Sequence, residues 1–176
     1  GGGLVDGDQL SLDVEVERHA HALVTTQAST KVYRGVGGAH TRATVGARAT
    51  LVLAPDPLVC FAGARCTQST EIDLGDDASL VLLDVLGAGR VARGERWDIH
   101  SLDTCLRVRR GGALVLDDGL ALHAADGPLR ERMGRYDALA TLLLLGPDAG
   151  VDAALTNVVA RSWGAAEILV AASPVT

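Results

Sequence analysis

Lysine, aromatic residues and long apolar runs are scarce in this chain of 176 residues. Lys31 is the only lysine, and 16 basic against 22 acidic residues leave a formal net charge of −6. That balance disfavours a protein that binds nucleic-acid phosphates through a basic stripe. Aromatic residues make up only 3%, so the core must be built from Val, Leu and Ala.

Apolar segments long enough for the ~20 residues of a membrane-spanning helix are absent, and no signal peptide is visible. The three cysteines, Cys60, Cys66 and Cys105, lack C-x-x-C spacing and predict free thiols in a reducing compartment. Hydrophobic residues at 48% and charged residues at 22% exclude a disordered chain. We therefore expect a globular cytoplasmic protein with no membrane or nucleic-acid partner.

The dominant hydrophobic period is two, which is typical of half-buried strands. Apolar and polar residues alternate over residues 10–17 and again over Thr70-Glu71-Ile72-Asp73-Leu74. Further apolar strands are predicted at Ala49–Leu53, Leu58–Phe61, Ser79–Leu86, Cys105–Arg109, Ala113–Leu116, Leu120–His123 and Ala138–Leu145. Gly111-Gly112 and Asp117-Asp118-Gly119 predict hairpin turns, because their residues tolerate positive φ.

Only one segment predicts a helix. Val151–Arg161 places Val151, Leu155 and Val158 on one side, with Asp148 as the N-terminal cap, and Ile168–Ala172 then predicts a strand. No internal repeat and no βαβ alternation is visible. We predict a single mainly-β domain over residues 1–176.

Gly87–Gly94 follows an apolar strand and imitates a dinucleotide-binding glycine loop. Gly94 interrupts the only helix that could begin there, so a tight turn between strands is the favoured interpretation. The alternative, an oxidoreductase fragment that uses a dinucleotide, stays open at this point.

Two pairs of side chains have spacings suited to metal ions. His19 and His21 would share one face of a strand, where two imidazoles could bind nickel, copper or zinc. Glu71 and Asp73 share a strand face in the same way, and their carboxylates could hold a hydrated divalent ion weakly and release it. Exposed polar residues are the alternative for both pairs.

Charged and hydrogen-bonding residues are dense in two further stretches. Arg90, Arg93, Glu95 and Arg96 crowd one connection, where they could form a buried network, contact a partner or remain solvated. The stretch Thr25–Arg34 is rich in uncharged hydrogen-bonding groups, and its β-branched residues favour a strand.

These stretches together resemble the UreD (UreH) family of urease accessory proteins. The family's T-T-Q-x-x-x-K-V-Y-R signature is met here by Thr25, Thr26, Gln27, Lys31, Val32, Tyr33 and Arg34. Its G-G-L-V-x-G-D turn is met by residues 2–8, and its P-x-P with F-x-x-A element by Pro55, Pro57, Phe61 and Ala64. Its acidic strand is met by residues 71–74, and its G-R-x-x-x-G-E loop by Gly89, Arg90, Gly94 and Glu95. The Ala140-Thr141-Leu142 strand and the Trp163-Gly164 step are also similar.

The resemblance implies a fold of stacked, β-helix-like strands with one or two short helices. It also implies that segments of the family at both ends are missing from this chain. The implied function is not catalysis but urease maturation: a scaffold that binds apo-urease and UreF, and through UreF the GTPase UreG. Nickel would be cargo passing to the urease active site, with no permanently bound cofactor, and a homodimer within the complex is a further expectation.

The resemblance also assigns roles to residues. Glu71, Asp73 and Glu95 would line the nickel passage, and His19 and His21 would be weaker nickel contacts. Partner contact or structural support falls to the signature residues and the glycine loop, namely Thr25, Thr26, Gln27, Lys31, Tyr33, Arg34 and Arg90. A β-structured binding module without a metal role remains the second alternative.

Overall fold

The computed structural model describes residues 2–147. The predicted helix Val151–Arg161 with its Asp148 cap, the predicted strand Ile168–Ala172 and the Trp163-Gly164 step lie outside the described residues. Within them the chain is mainly strand, and its one α-helix, α1, spans only Leu129–Arg132. Two short 3₁₀ turns span Val91–Arg93 and Ala124–Asp126.

Residues 2–147 contain eleven strands. They are β1 Gln9–Val16, β2 His21–Val24, β3 Thr30–Val32, β4 Gly35–Val45, β5 Thr50–Leu53, β6 Leu58–Cys60, β7 Ala64–Leu74, β8 Ser79–Gly87, β9 Ser101–Arg110, β10 Ala113–His123 and β11 Ala138–Leu145. The predicted strands at residues 10–17, 49–53, 58–61, 79–86 and 138–145 are confirmed to within about two residues at each end.

The strands form two sheets that face each other. The five-stranded sheet has the order β1-β4-β7-β9-β10, and all its pairs are parallel except the β9–β10 hairpin. The six-stranded sheet has the path β2-β5-β8-β6-β3, with β11 antiparallel to β8. Strands β2 and β3 pair with β5 and β6, and β8 is long enough to pair with both of the latter.

The chain coils between these sheets, and each coil stacks on the one before. Gln9 pairs with Gly38 and Gly38 with Thr67, a step of 29 residues each time, and His40 contacts Ser69 over the same step. In the six-stranded sheet His21 pairs with Thr50 and Thr50 with Ser79 in the same way. The mainly-β, β-helix-like prediction is thus confirmed. The coil repeats in backbone geometry but not in residue identity, which is why no repeat is visible in the sequence.

Alternate side chains of each strand point between the sheets and form two apolar clusters. One cluster lies where the strands of the five-stranded sheet begin and includes Val32, Cys66 and Leu102. The other lies towards the ends of these strands and includes Leu51, Ile72, Leu80 and Val108, each 1% exposed or less. Val, Leu and Ala supply most of both clusters, as the scarcity of aromatic residues requires.

The two predicted hairpin turns have different outcomes. Gly111 and Gly112 do join β9 to β10, with φ of 56° and 81°, the pair of positive values that a two-residue turn needs. The turn predicted at residues 117–119 is wrong, because β10 continues through it and pairs with β9. Residues 117–119 pair in register with β9, and the irregularity in β10 is a register shift between Leu114 and Leu116.

Candidate functional site: a polar cavity between the sheets

A cavity of about 520 Å³ separates the two apolar clusters. Strands of both sheets line it, from β1 on one side to β10 and β11 on the other. Its walls are mostly apolar but carry a set of polar side chains. These are Thr25, Thr26, Thr30, His40, Thr41, Asp56, Gln68, Thr70, Asp84, Thr104, Asp118 and Thr141.

The polar lining follows from strand register. In β7 the inward positions are apolar at both ends, but Gln68 and Thr70 occupy the two inward positions between Cys66 and Ile72. Thr104 pairs with Gln68 on β9, and Thr41 pairs with Thr70 on β4. Adjacent strands therefore place their polar residues side by side, and the interior changes from apolar to polar at one level of the coil.

The six-stranded sheet contributes the carboxylate of Asp84 to the same level. Gln68 Nε2 donates to Asp84 Oδ2 at 3.0 Å, so this hydrogen bond spans the cavity from one sheet to the other. Burial raises the pKa of Asp84, and hydrogen bonds from Gln68 and from the backbone N–H of Val85 oppose that effect. We define Gln68, Thr70, Asp84 and Thr104 as the polar middle of the interior.

One mouth of the cavity lies beside the signature residues Thr25 and Thr26. Thr26 Oγ1 donates to Asp56 Oδ2 at 2.9 Å and accepts from the Asp56 backbone N–H at 2.8 Å, which joins the two loops at this opening. Leu10 and Leu12 line the same side and are 52% and 39% exposed. Their strand was predicted half-buried, which holds at its end, where Val16 is buried and Val14 packs against the second cluster. At its beginning, Leu10 and Leu12 instead border an opening.

The predicted carboxylate pair lies on the opposite face of β7. Glu71 and Asp73 alternate with the buried residues Thr70, Ile72 and Leu74, so their side chains point away from the cavity. That the two carboxylates share one face, as predicted, is confirmed. A passage through the cavity would not be lined by them, and their role in metal transfer stays a prediction.

Glu71 belongs instead to a row of alternating charges across the outer face of the five-stranded sheet. Strand register aligns Asp13, Arg42, Glu71, Arg107 and Asp117 in that order. The nearest charged atoms are 3.8 Å apart for Arg42–Asp13, 4.0 Å for Arg42–Glu71 and 3.1 Å for Arg107–Asp117. Asp117, and to a smaller degree Glu71, also raise the pKa of Arg107.

The histidine pair does not have the geometry that the sequence predicted. His19 lies in the turn after β1 at a φ of 62°, and His21 is the first residue of β2, so they do not share a strand. Both are exposed. No group of three or more His, Cys, Asp or Glu side chains within residues 2–147 is arranged to hold a metal ion. A nickel contact at His19 or His21 stays a prediction.

Residues of three separate motifs meet where β3, β6 and β8 end. The Tyr33 and Phe61 rings are 5.1 Å apart and edge to face, and the Arg90 guanidinium lies 4.5 Å from the centre of the Phe61 ring. Arg90 Nε donates to Glu95 Oε2 at 2.8 Å, and this pairing lowers the pKa of Glu95. Glu95 precedes β9, whereas Glu71 and Asp73 pair with residues near the end of that strand. The three carboxylates predicted to line a nickel passage are therefore at opposite ends of β9.

The connection that carries Arg90 and Glu95 has no dinucleotide-binding geometry. Its only helical turn is Val91–Arg93, which ends at Gly94 with a φ of 81°. Arg96 instead forms an ion pair with Asp137, and Arg130 reaches the Gly94 carbonyl and Asp98. These contacts fix the connection as a structured turn between strands.

Gln27, Lys31 and Arg34 are exposed, whereas the signature residue Val32 is buried. Gln27 lies in the bend between β2 and β3, and Lys31 projects from β3. The Lys31 carbonyl accepts from the Leu4 N–H at 2.7 Å, which ties the N-terminal turn to β3. Arg34 lies over Gly63, where an added Cβ would come within 3.3 Å of Arg34 Nε.

Sequence reasoning missed Asp84 and Gln68. The signal for Asp84 was a lone carboxylate within the otherwise aliphatic strand β8. The signal for Gln68 was the interruption of inward apolar positions in β7. Both are polar residues at positions where the alternation requires apolar ones.

The fold and site define a mainly-β scaffold with an internal, mostly apolar cavity that has a polar middle. No helix among residues 2–147 is long and apolar enough to span a membrane. The model of the family described as UreD urease accessory protein matches residues 1–175. The chain belongs to this family, whose members are accessory proteins and not enzymes.

Named relatives agree with the family match. The chain is 56% identical over 151 residues to the urease accessory protein UreD of Sorangium cellulosum, covering 85% of this chain and 48% of the relative. It is 44% identical to UreD of Anaeromyxobacter sp. over 84% of this chain and 51% of the relative. It is 37% identical to urease accessory protein D of Arabidopsis thaliana over 83% and 52%. The chain thus spans about half the length of these relatives.

Proposed function

We propose that this chain is the β-scaffold of a urease maturation factor that conducts nickel through the cavity between its sheets. Its proposed partners are apo-urease and UreF, with UreG bound through UreF, in the cytoplasm. The observation that carries the proposal is the cavity itself, which is lined from β1 to β10 and β11 and has Asp84 in its lining. Family membership supports the urease maturation role.

The chemistry of the polar middle suits an ion in transit. One carboxylate with amide and hydroxyl oxygens nearby offers hard oxygen donors but too few charges to hold a divalent ion tightly. The walls on either side are mostly apolar and offer few oxygen donors, so a hydrated ion would pause at Asp84 and then move on. Weak binding of this kind is what a conduit requires.

Nickel loading of urease tests the route. The tagged chain is co-expressed with apo-urease, UreF and UreG, and nickel per purified urease is measured together with partner retention. We expect Asp84→Asn to lower nickel loading several-fold while all partners still co-purify. Asp117→Asn, which alters a carboxylate on the outer face, is the matched control and should load normally. Normal loading by Asp84→Asn would exclude the cavity route.

The same assay tests the carboxylates that the sequence singled out. A Glu71→Ala/Asp73→Ala variant that loads poorly with partners retained would support a nickel route over the outer face of the five-stranded sheet. Normal loading would leave Glu71 with the structural role that its charge row indicates, and Asp73 as an exposed residue without a role in nickel transfer. Retention of no partner by the unaltered chain would favour the binding-module alternative.

A further inference from the structure

We infer that the end of the sandwich formed by Tyr33, Arg34, Phe61, Arg90 and Arg93 binds an acidic segment of a partner protein. These five residues are called the arginine–aromatic end. Glu95 is the acidic residue that forms an ion pair with this group, and it pairs with Arg90. The inference rests on the proposed scaffold role, because that role supplies a protein partner. The inference adds the chemistry of the segment by which the partner binds.

The position of these residues is built into the fold. Tyr33 follows β3, Phe61 follows β6 and Arg90 lies beyond β8, and these strands are parallel neighbours. Because the carboxyl ends of parallel strands lie at one edge of a sheet, their loops meet there. The signature, the F-x-x-A element and the glycine loop therefore form one surface although they are far apart in sequence.

Arg90 has a fixed position that supports the surface. Its guanidinium is held between the Phe61 ring and the Glu95 carboxylate. An arginine held in this way loses little conformational freedom on binding, and arginine and tyrosine are the residues most enriched at the energetic centres of interfaces. Arg90 and Glu95 are thus positioning groups rather than the groups that receive the partner's charge.

Arg34 and Arg93 are the groups that can receive that charge. Both are exposed, and neither guanidinium forms a hydrogen bond or a close ion pair among residues 2–147, although the charge of Arg93 helps to lower the pKa of Glu95. Tyr33 is 37% exposed and Val91 44% exposed beside them. Two guanidiniums that form no side-chain hydrogen bond, next to exposed apolar groups, match a segment in which carboxylates accompany apolar residues. The excess of positive charge here contrasts with a chain whose net charge is −6.

Binding of model peptides to the purified full chain tests the inference. Fluorescence anisotropy measures binding of labelled decaglutamate, with labelled decalysine as the probe of opposite charge. We expect decaglutamate to bind and decalysine not to bind. Arg34→Glu/Arg93→Glu should weaken decaglutamate binding at least tenfold. Arg18→Glu/Arg48→Glu carries the same charge change at exposed turns elsewhere and should bind like the unaltered chain.

Two results would overturn the inference: no binding of decaglutamate by the unaltered chain, or equal loss in both double variants, which would mean a general charge effect. Circular dichroism of each variant checks that the fold is retained, and Arg34→Lys/Arg93→Lys, which keeps the charge, should retain most of the binding.

Nickel loading of urease separates this inference from the proposed function. A chain that loads urease but does not bind decaglutamate would refute the acidic partner while leaving the nickel route intact.

Discussion

The polar middle of the interior and the apolar cluster beside it are built from the same strands. In β7, Gln68 and Thr70 face the cavity, and two residues later Ile72 is almost completely buried between Ala43 and Val108. Both regions lie between the same pair of sheets and share one pattern of backbone pairing. The difference between them therefore arises entirely from side chains.

The comparison shows that the polar middle is the place where this protein lacks a closely packed apolar core. An aliphatic residue at each polar position would let the two clusters merge into one core, with an expected gain of about 1–3 kcal/mol for each side chain buried. The cavity, the carboxylate of Asp84 and its hydrogen bond to Gln68 all act against that gain. A β-coil that needed only to be stable would not retain them, which supports a role for the cavity.

Removing a packed side chain should give the largest effect. Ile72→Ala leaves a void in the fully buried cluster and should lower the free energy of unfolding by about 3 kcal/mol. Asp73→Ala, the next residue, alters an exposed side chain on the other face and should cost no more than about 0.5 kcal/mol. Urea denaturation of both variants gives the comparison. Equal losses of free energy of unfolding in the two variants would mean that alternate residues of β7 are not buried and exposed as described.

Neutralising the carboxylate of the polar middle should change the free energy of unfolding less than Ile72→Ala does, and should raise it rather than lower it. Burial raises the pKa of Asp84, so at pH 7 its charged form costs folding free energy. Asp84→Asn should raise the stability of the metal-free chain by about 1 kcal/mol, or roughly 2–4 °C in Tm.

The pH dependence of that gain provides its control. An acid whose pKa is higher in the folded than in the unfolded state destabilises the fold as pH rises through these two pKa values. Below both values the acid is protonated in the folded and the unfolded state, and it then has no such effect. The advantage of Asp84→Asn should therefore shrink as pH falls towards the ordinary value of 3.8. Thermal melts at several pH values, with chelator present, measure it. A gain that did not change with pH would point to packing rather than charge.

Period-two alternation was enough to predict most strands and the mainly-β class. It could not predict which strands pair, because the coil returns each strand to its neighbour through backbone geometry without repeating residue types. The Asp-Asp-Gly turn signal predicted a turn at residues 117–119, but these residues are accommodated within β10. Local preference for a turn was overridden there by continuous pairing with β9.

The candidate site was predicted less well than the fold, for a related reason. Alternation correctly placed Glu71 and Asp73 on one face, but it could not tell whether that face met solvent or a cavity. Asp84 was hidden within an apolar strand, and only the second sheet, which brings Gln68 within 3.0 Å, shows what its carboxylate faces. The contact among Tyr33, Phe61 and Arg90 likewise depends on strand pairing across long stretches of sequence.

The smallest effect should come from the charge row on the outer face, where water replaces the facing sheet. Arg42 lies between Asp13 and Glu71, with 57% of its side chain exposed. Arg42→Ala should lower the free energy of unfolding by about 0.5 kcal/mol, because exposed ion pairs gain little over hydration. Salt screens such pairs, so the loss should be greater in low salt than at 1 M. Arg18→Ala, an exposed residue in a turn, serves as the control and should show no such salt dependence. A salt-independent loss at Arg42 would mean that its aliphatic stem, rather than its charge, supports the outer face.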